Sequence, residues 1–125
     1  MSVTWFSLDV DSADPPTLAR WWAEVLGYEV VWEEDAYVAI AAGNGAFPGM
    51  IFNRIDAPKY AKNRLHVDLN PDDQDAEVSR LEVLGATRVD IGQGAQPWVV
   101  MADPEGNEFC VLTPWSPPPE GQSSG

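Results

Sequence analysis

Residues 3–10 alternate in character, with Val3, Trp5, Ser7 and Asp9 on one side and Thr4, Phe6, Leu8 and Val10 on the other. This is the period-2 pattern of a strand. The period then changes. Leu18, Trp21, Trp22, Val25 and Leu26 recur at helical spacing, as one apolar stripe that would face a sheet. Asp14 is placed to cap this helix, Pro15 suits its first turn, and Gly27 can end it in a left-handed conformation. Residues 28–33, 36–42 and 49–55 predict three further strands. Glu34-Asp35 turns between the first two, and Asn44-Gly45 marks a turn before the third.

The same order then returns. Residues 65–70 predict a strand, and 72–84 a helix with Val78, Leu81 and Leu84 inward and Gly85 as its stop. Residues 87–91, 98–102 and 108–113 predict three more strands. Asp103-Pro104-Glu105-Gly106 places Asp, Pro and Gly where a type I turn favours them, joining the last two strands. Ser7-Leu8-Asp9-Val10-Asp11 matches His66-Val67-Asp68-Leu69-Asn70 at an offset of 59, and Val25-Leu26-Gly27 matches Val83-Leu84-Gly85 at 58. A repeat of this period indicates duplication of a supersecondary unit. The expected fold is α+β, two βαβββ modules. Ser7 stands where the twin of His66, the chain's one histidine, would be.

The 125 residues fit one domain over residues 1–113, with module one at 3–56 and module two at 64–113. Residues 114–125 are rich in Pro, Gly and Ser and predict a flexible tail, with Trp115 placed to anchor it or to meet another subunit. The chain shows neither a bilayer-length apolar run nor the start of a secretion signal. With Cys110 as its one cysteine, a cytoplasmic location is expected. A net charge of −13 argues against nucleic acid or an anionic membrane as partner. Four of the seven basic residues, Arg54, Lys59, Lys62 and Arg64, cluster in residues 54–64, around the connection between the modules. They either balance charge around a loop or form a positive rim for an anionic small molecule.

Four stretches resemble the vicinal oxygen chelate superfamily, the glyoxalase/bleomycin-resistance/dioxygenase fold, and within it the glyoxalase-like domain group. They are Asp14-Pro15 with Leu18-Ala19-Arg20-Trp21-Trp22 and Leu26-Gly27; residues 62–69; Asp75-Ala76-Glu77-Val78 with Arg80-Leu81 and Leu84-Gly85-Ala86; and residues 103–109. The resemblance implies an eight-stranded cup with helices outside, a ligand cavity inside, and commonly a homodimer. It also implies a divalent metal on four side chains, at positions that here hold Ser7, approximately Asn53, His66 and Cys110. Enzymes of the superfamily generally have His, Glu or Gln, His and Glu there, so His66 alone matches.

A catalytic zinc draws three protein ligands from His, Cys and carboxylate, and a facial-triad iron needs two His. With one histidine, no cofactor is expected, and a divalent metal is the less favoured alternative. Strand parity would place Trp5, Ser7, Asp9, Arg64, His66 and Asp68 on the cavity side and Leu8, Val10, Leu65, Val67 and Leu69 under the helices. Asp9, His66 and Asp68 are the candidate acid–base set, against the alternative that each carboxylate is held by backbone or Arg64. Trp5, Ser7, Asn53, Arg64, His66, Trp98 and Cys110 are the candidate ligand-binding residues, and Trp32 is a further possible wall. The favoured function is a small-molecule binder for an aromatic or anionic compound, resembling drug-binding resistance proteins. The alternative is a lyase, isomerase or dioxygenase of the same superfamily, and whether a reaction is catalysed stays open.

Overall fold

A computed structural model describes residues 4–116. The first compact unit, within residues 1–60, holds β1 (Ser7–Ser12), α1 (Pro15–Leu26), β2 (Glu29–Glu33), β3 (Tyr37–Ala41) and β4 (Gly49–Arg54). The second, within 61–125, holds β5 (Asp68–Leu69), α2 (Gln74–Val83), β6 (Thr87–Arg88), β7 (Val99–Ala102) and β8 (Glu108–Val111). Each is βαβββ, and the fold is α+β as expected. The sheets have matching orders, β1-β4-β3-β2 and β5-β8-β7-β6. In each, the first and last strands pair in parallel and the others antiparallel.

Helix α1 buries Pro15, Leu18, Ala19, Trp22 and Ala23, spaced i, i+3, i+4, i+7 and i+8. Trp21 is half-buried and meets Trp22 edge-to-face at 5.1 Å. Asp14 is the N-cap residue but makes no side-chain cap bond; the Asp14 N–H instead donates to Ser12 Oγ at 3.1 Å. Asp73 caps α2 as an N-cap should, accepting from the Ala76 N–H. The helix ends are alike. Tyr28 N–H donates to Ala23 O and Ala86 N–H to Leu81 O, both at 2.9 Å, each around a glycine of positive φ, Gly27 or Gly85. These are the wide-ring bonds that close a helix C-terminus. The offset of 58 at the tripeptide thus continues into the hydrogen bonding.

Under α1 lie Val38, Ile40, Met50 and Phe52, all buried; the second unit buries Val78, Leu81, Met101, Phe109 and Val111. Val3 lies outside the described residues, and the first strand begins at Ser7 and runs on to Ser12. The strand expected over 65–70 is laddered only at Asp68–Leu69, although Val67 O still accepts from Cys110 N–H. Leu65 does not pack under a helix, being 81% exposed, because the chain has not yet joined the sheet there. The strand expected over 87–91 stops at Arg88, where a loop through Gly92 and Gly94, both of positive φ, takes over.

The Asp103 turn forms as expected. Its buried carboxylate accepts from the N–H groups of Glu105 and Asn107, and Gly106 N–H donates to Asp103 O. The start of the expected tail is tied down: Asn70 donates to Trp115 O at 2.7 Å and accepts from Trp115 N–H at 2.8 Å. Residues 117–125, the rest of that expectation, lie outside the described residues. Among the described residues, no helix is long and apolar enough to cross a membrane.

Candidate functional site in the second module

His66, Asp68 and Cys110 meet because of two simple facts of backbone geometry. His66 stands two residues before Asp68 in the segment that leads into β5, and Asp68 pairs with Cys110 across the parallel β5–β8 ladder. His66 Nε2 lies 3.0 Å from Asp68 Oδ1, with both side chains about half exposed. The one-atom choices of imidazole nitrogen, carboxylate oxygen and Cys110 Sγ all lie within 4.8 Å of one another. Burial first, then the Asp68 charge and its hydrogen bond, hold the Cys110 thiol above its ordinary pKa, while Lys62 opposes this.

These three residues form one wall of a pocket of about 350 Å³, inside the usual range for small-molecule sites. Trp98, Ile91, Val100 and Leu112 supply apolar surface; Lys62, Gln93 and Glu108 supply polar groups. Glu108 accepts from Asn63 N–H at 2.8 Å, which ties the segment leading into His66 to β8. The loop 89–98 contributes Ile91, Gln93 and Trp98 to the lining and is held by its own side chains. Asp90 accepts from Gly92 N–H and Gln93 from Ile91 N–H, both at 2.8 Å. Gln74, at the start of α2, donates to Pro97 O at 2.8 Å and Val111 O at 3.1 Å.

The other candidate residues fall elsewhere. In the first unit Ser7 Oγ donates to one oxygen of Asp9 and Asn53 Nδ2 to the other, the latter at 3.0 Å. Trp5 is 71% exposed, with its indole N–H on Ser7 O; Trp32 is exposed as well. Arg64 is exposed and does not line this pocket, and Asp68 is held by His66 rather than by Arg64. The register also refines one equivalence: Asp9 pairs with Ile51 as Asp68 pairs with Cys110, so Ile51 is the twin of Cys110 and Asn53 lies two residues further on the same face.

Sequence reasoning reached His66, Asp68, Trp98 and Cys110, and Lys62 through the positive rim, but missed Ile91, Gln93 and Glu108. The available signal was the polar, Gly-rich stretch Gly92-Gln93-Gly94, which marks a loop long enough to carry a wall.

The family described as glyoxalase-like domain matches residues 7–112. No curated protein matches the chain. Among solved structures, the chain is similar to a glyoxalase/bleomycin resistance protein/dioxygenase family enzyme from Burkholderia phytofirmans PsJN, at 15% identity and TM-score 0.68, covering 86% of this chain and 95% of that one. It is similar to a trypanothione-dependent glyoxalase I of Leishmania major, at 16% identity and TM-score 0.64, covering 90% and 87%. It is also similar to an antibiotic binding protein from Streptomyces sp. CB03234, at 22% identity and TM-score 0.59, covering 92% and 99%. The duplicated βαβββ order and a family match spanning both modules place the chain in the glyoxalase-like domain family of the vicinal oxygen chelate superfamily.

Proposed function

We propose that this protein binds a small, partly aromatic anion in the pocket of its second module. The observation that carries this reading is the pocket itself, with Trp98 and aliphatic side chains on its walls and Lys62 at its edge. An aromatic face and one cation suit a flat, negatively charged molecule. The antibiotic binding protein among the structural neighbours is a precedent for ligand binding on this fold. We extend the same reading to a homodimer in the cytoplasm.

The four positions that would hold the superfamily's metal do not fit a dication. Ser7 and Asn53 turn an O–H and an N–H toward Asp9, so these two neutral groups act as donors to a carboxylate. Neither contributes charge against the cost of desolvating a cation.

Titration with aromatic carboxylates and phenolic natural products, followed by tryptophan fluorescence and calorimetry, tests the proposal. Saturable quenching is expected, lost in Trp98→Phe, with Lys62→Ala weakening anions more than neutral analogues. Silence across diverse ligands with folded protein, or quenching indifferent to Trp98, overturns it.

A second reading is favoured by the 3.0 Å His66–Asp68 bond. A carboxylate that orients an imidazole beside a pocket is the arrangement of a general base, suited to proton transfer in a lyase or isomerase. Asp9, the third member of the expected set, is engaged by Ser7 and Asn53. Turnover of an α-hydroxy or α-keto substrate that disappears in His66→Gln would favour this reading over simple binding.

A further inference from the structure

We propose that the ligand of the second-module pocket is a zwitterion, an aromatic molecule that carries an ammonium group beside its anionic group, and that Glu108 is the residue that selects for the amine. This rests on the small-molecule reading above and narrows it to a ligand class.

The charges on the walls come first. Lys62, Asp68 and Glu108 line the pocket, one cation against two carboxylates. A simple anion meets more negative than positive charge there, on a chain whose net charge of −13 already repels it. A zwitterion has no net charge to repel, and it offers Lys62 and Glu108 each the opposite sign. Asp68 is engaged by His66 at 3.0 Å and by the Cys110 thiol, so the amine falls to Glu108.

Position comes second. Both charged groups are held by one residue, Asn63. Its carbonyl oxygen accepts from Lys62 Nζ at 3.1 Å, and its N–H donates to Glu108 Oε1 at 2.8 Å. With only the backbone oxygen and nitrogen of Asn63 between them, Nζ and Oε1 lie no more than about 10 Å apart, the span of a small molecule. Neither bond exhausts its group, since an ammonium has three donors and a carboxylate about four acceptor sites. The Lys62 charge is also felt inside the pocket, where it opposes the upward shift of the Cys110 thiol. Third, Trp98 with Ile91 and Leu112 supplies the apolar surface for a ring. The first module gives an internal contrast. Gly49 precedes Ile51 by two residues as Glu108 precedes Cys110, so a module of this kind folds without a carboxylate at that place.

The test is calorimetry on the full-length protein with three probes that share a ring and chain: L-phenylalanine, 3-phenylpropionate, which lacks the amine, and phenethylamine, which lacks the carboxylate. The amino acid is expected to bind about tenfold or more tightly than either, the scale of one charge-assisted hydrogen bond. Glu108→Gln should cut its lead over 3-phenylpropionate to about twofold or less, as a neutral hydrogen bond replaces a charged one. The new amide oxygen still accepts from Asn63 N–H, so a merely structural role for Glu108 predicts no such loss. Lys62→Met should likewise erase the lead over phenethylamine. Asp72→Asn, which removes an exposed carboxylate outside the pocket, should leave both ratios unchanged. Equal affinity for the amino acid and 3-phenylpropionate, or a preference that survives Glu108→Gln, overturns the proposal and leaves the small-molecule reading standing. Phenethylamine binding as tightly as the amino acid overturns it too. Failure of all three probes on folded protein also overturns it, whereas the reading it rests on falls only if the wider fluorescence titration is silent as well.

Discussion

In the first module three residues, 34–36, turn β2 into β3; in the second, ten residues, 89–98, join β6 to β7. The short turn is tied by reciprocal backbone bonds between Glu34 and Tyr37 and leaves neighbouring strands of five residues each. The long loop leaves β6 only two residues but brings Ile91, Gln93 and Trp98 to a pocket. A second contrast concerns the first strands. Asp9 is held by a hydroxyl and an amide, whereas Asp68 is held by an imidazole and a thiol. One module spends its residues on ladder and packing, and its copy gives up ladder for a concave surface with ionisable groups. Duplication makes such a division possible, because one copy can keep the sheet regular while loops of the other vary.

The comparison is broken most forcefully in the cores. Phe52 and Phe109 are both fully buried, one in each module, and Phe→Ala at either should cost about 3–5 kcal/mol by urea denaturation. If the second module, with its shorter ladder, is the weaker unit, Phe109→Ala should also raise amide exchange through residues 99–111 while α1 stays protected. Uniform loss of protection in both would show that the two unfold as one.

Gly49 offers a sharper probe of the first module. A Cβ there would run into the Ile40 carbonyl oxygen and the Phe47 ring, so Gly49→Ala should destabilise by about 1–3 kcal/mol. A thermal melt that does not move would mean β4 can shift, against the regular-sheet account. Gln74→Ala should cost about 1–2 kcal/mol, since it leaves the Pro97 and Val111 carbonyls without that donor. Exchange should rise selectively over 89–98, and a ligand of the pocket should bind more weakly.

The smallest effect concerns the tight turn. Hydrogen bonds from Tyr37, first, and then Trp32 hold the Glu34 carboxyl below its ordinary pKa. A depressed folded value contributes stability above the unfolded pKa that is lost as pH falls through the folded one. Tyr37→Phe should therefore move the Glu34 titration upward by NMR and flatten the acid limb slightly. An unchanged carboxyl titration would show that the turn is held by its backbone alone.

The duplication, both helices and the Asp103 turn were legible because each rests on local rules. A 3.6-residue stripe before a glycine needs no distant partner to declare itself, and Asp-Pro-Glu-Gly turns wherever it stands. The alternation at His66-Val67-Asp68 likewise placed the imidazole and carboxylate on one face. Leu65 and Ile91 were misread for one reason: apolar residues flanking a real strand look the same whether or not a neighbouring strand is there to extend the ladder.

Sequence by itself determined the α+β class and the two copies, which follow from periodicity, and set His66 and Asp68 on one face by their spacing of two; that His66 rather than Arg64 holds Asp68 was decided by the tertiary structure. Only the tertiary structure decided that Cys110, 42 positions after Asp68, is its cross-strand partner, and that Ile51 rather than Asn53 is the twin of that cysteine. Register between parallel strands joined by a helix and two other strands depends on the whole module's packing, and no local signal encodes it. The same holds for the loop at 89–98, whose role as a pocket wall depends on where Gln74 pins it.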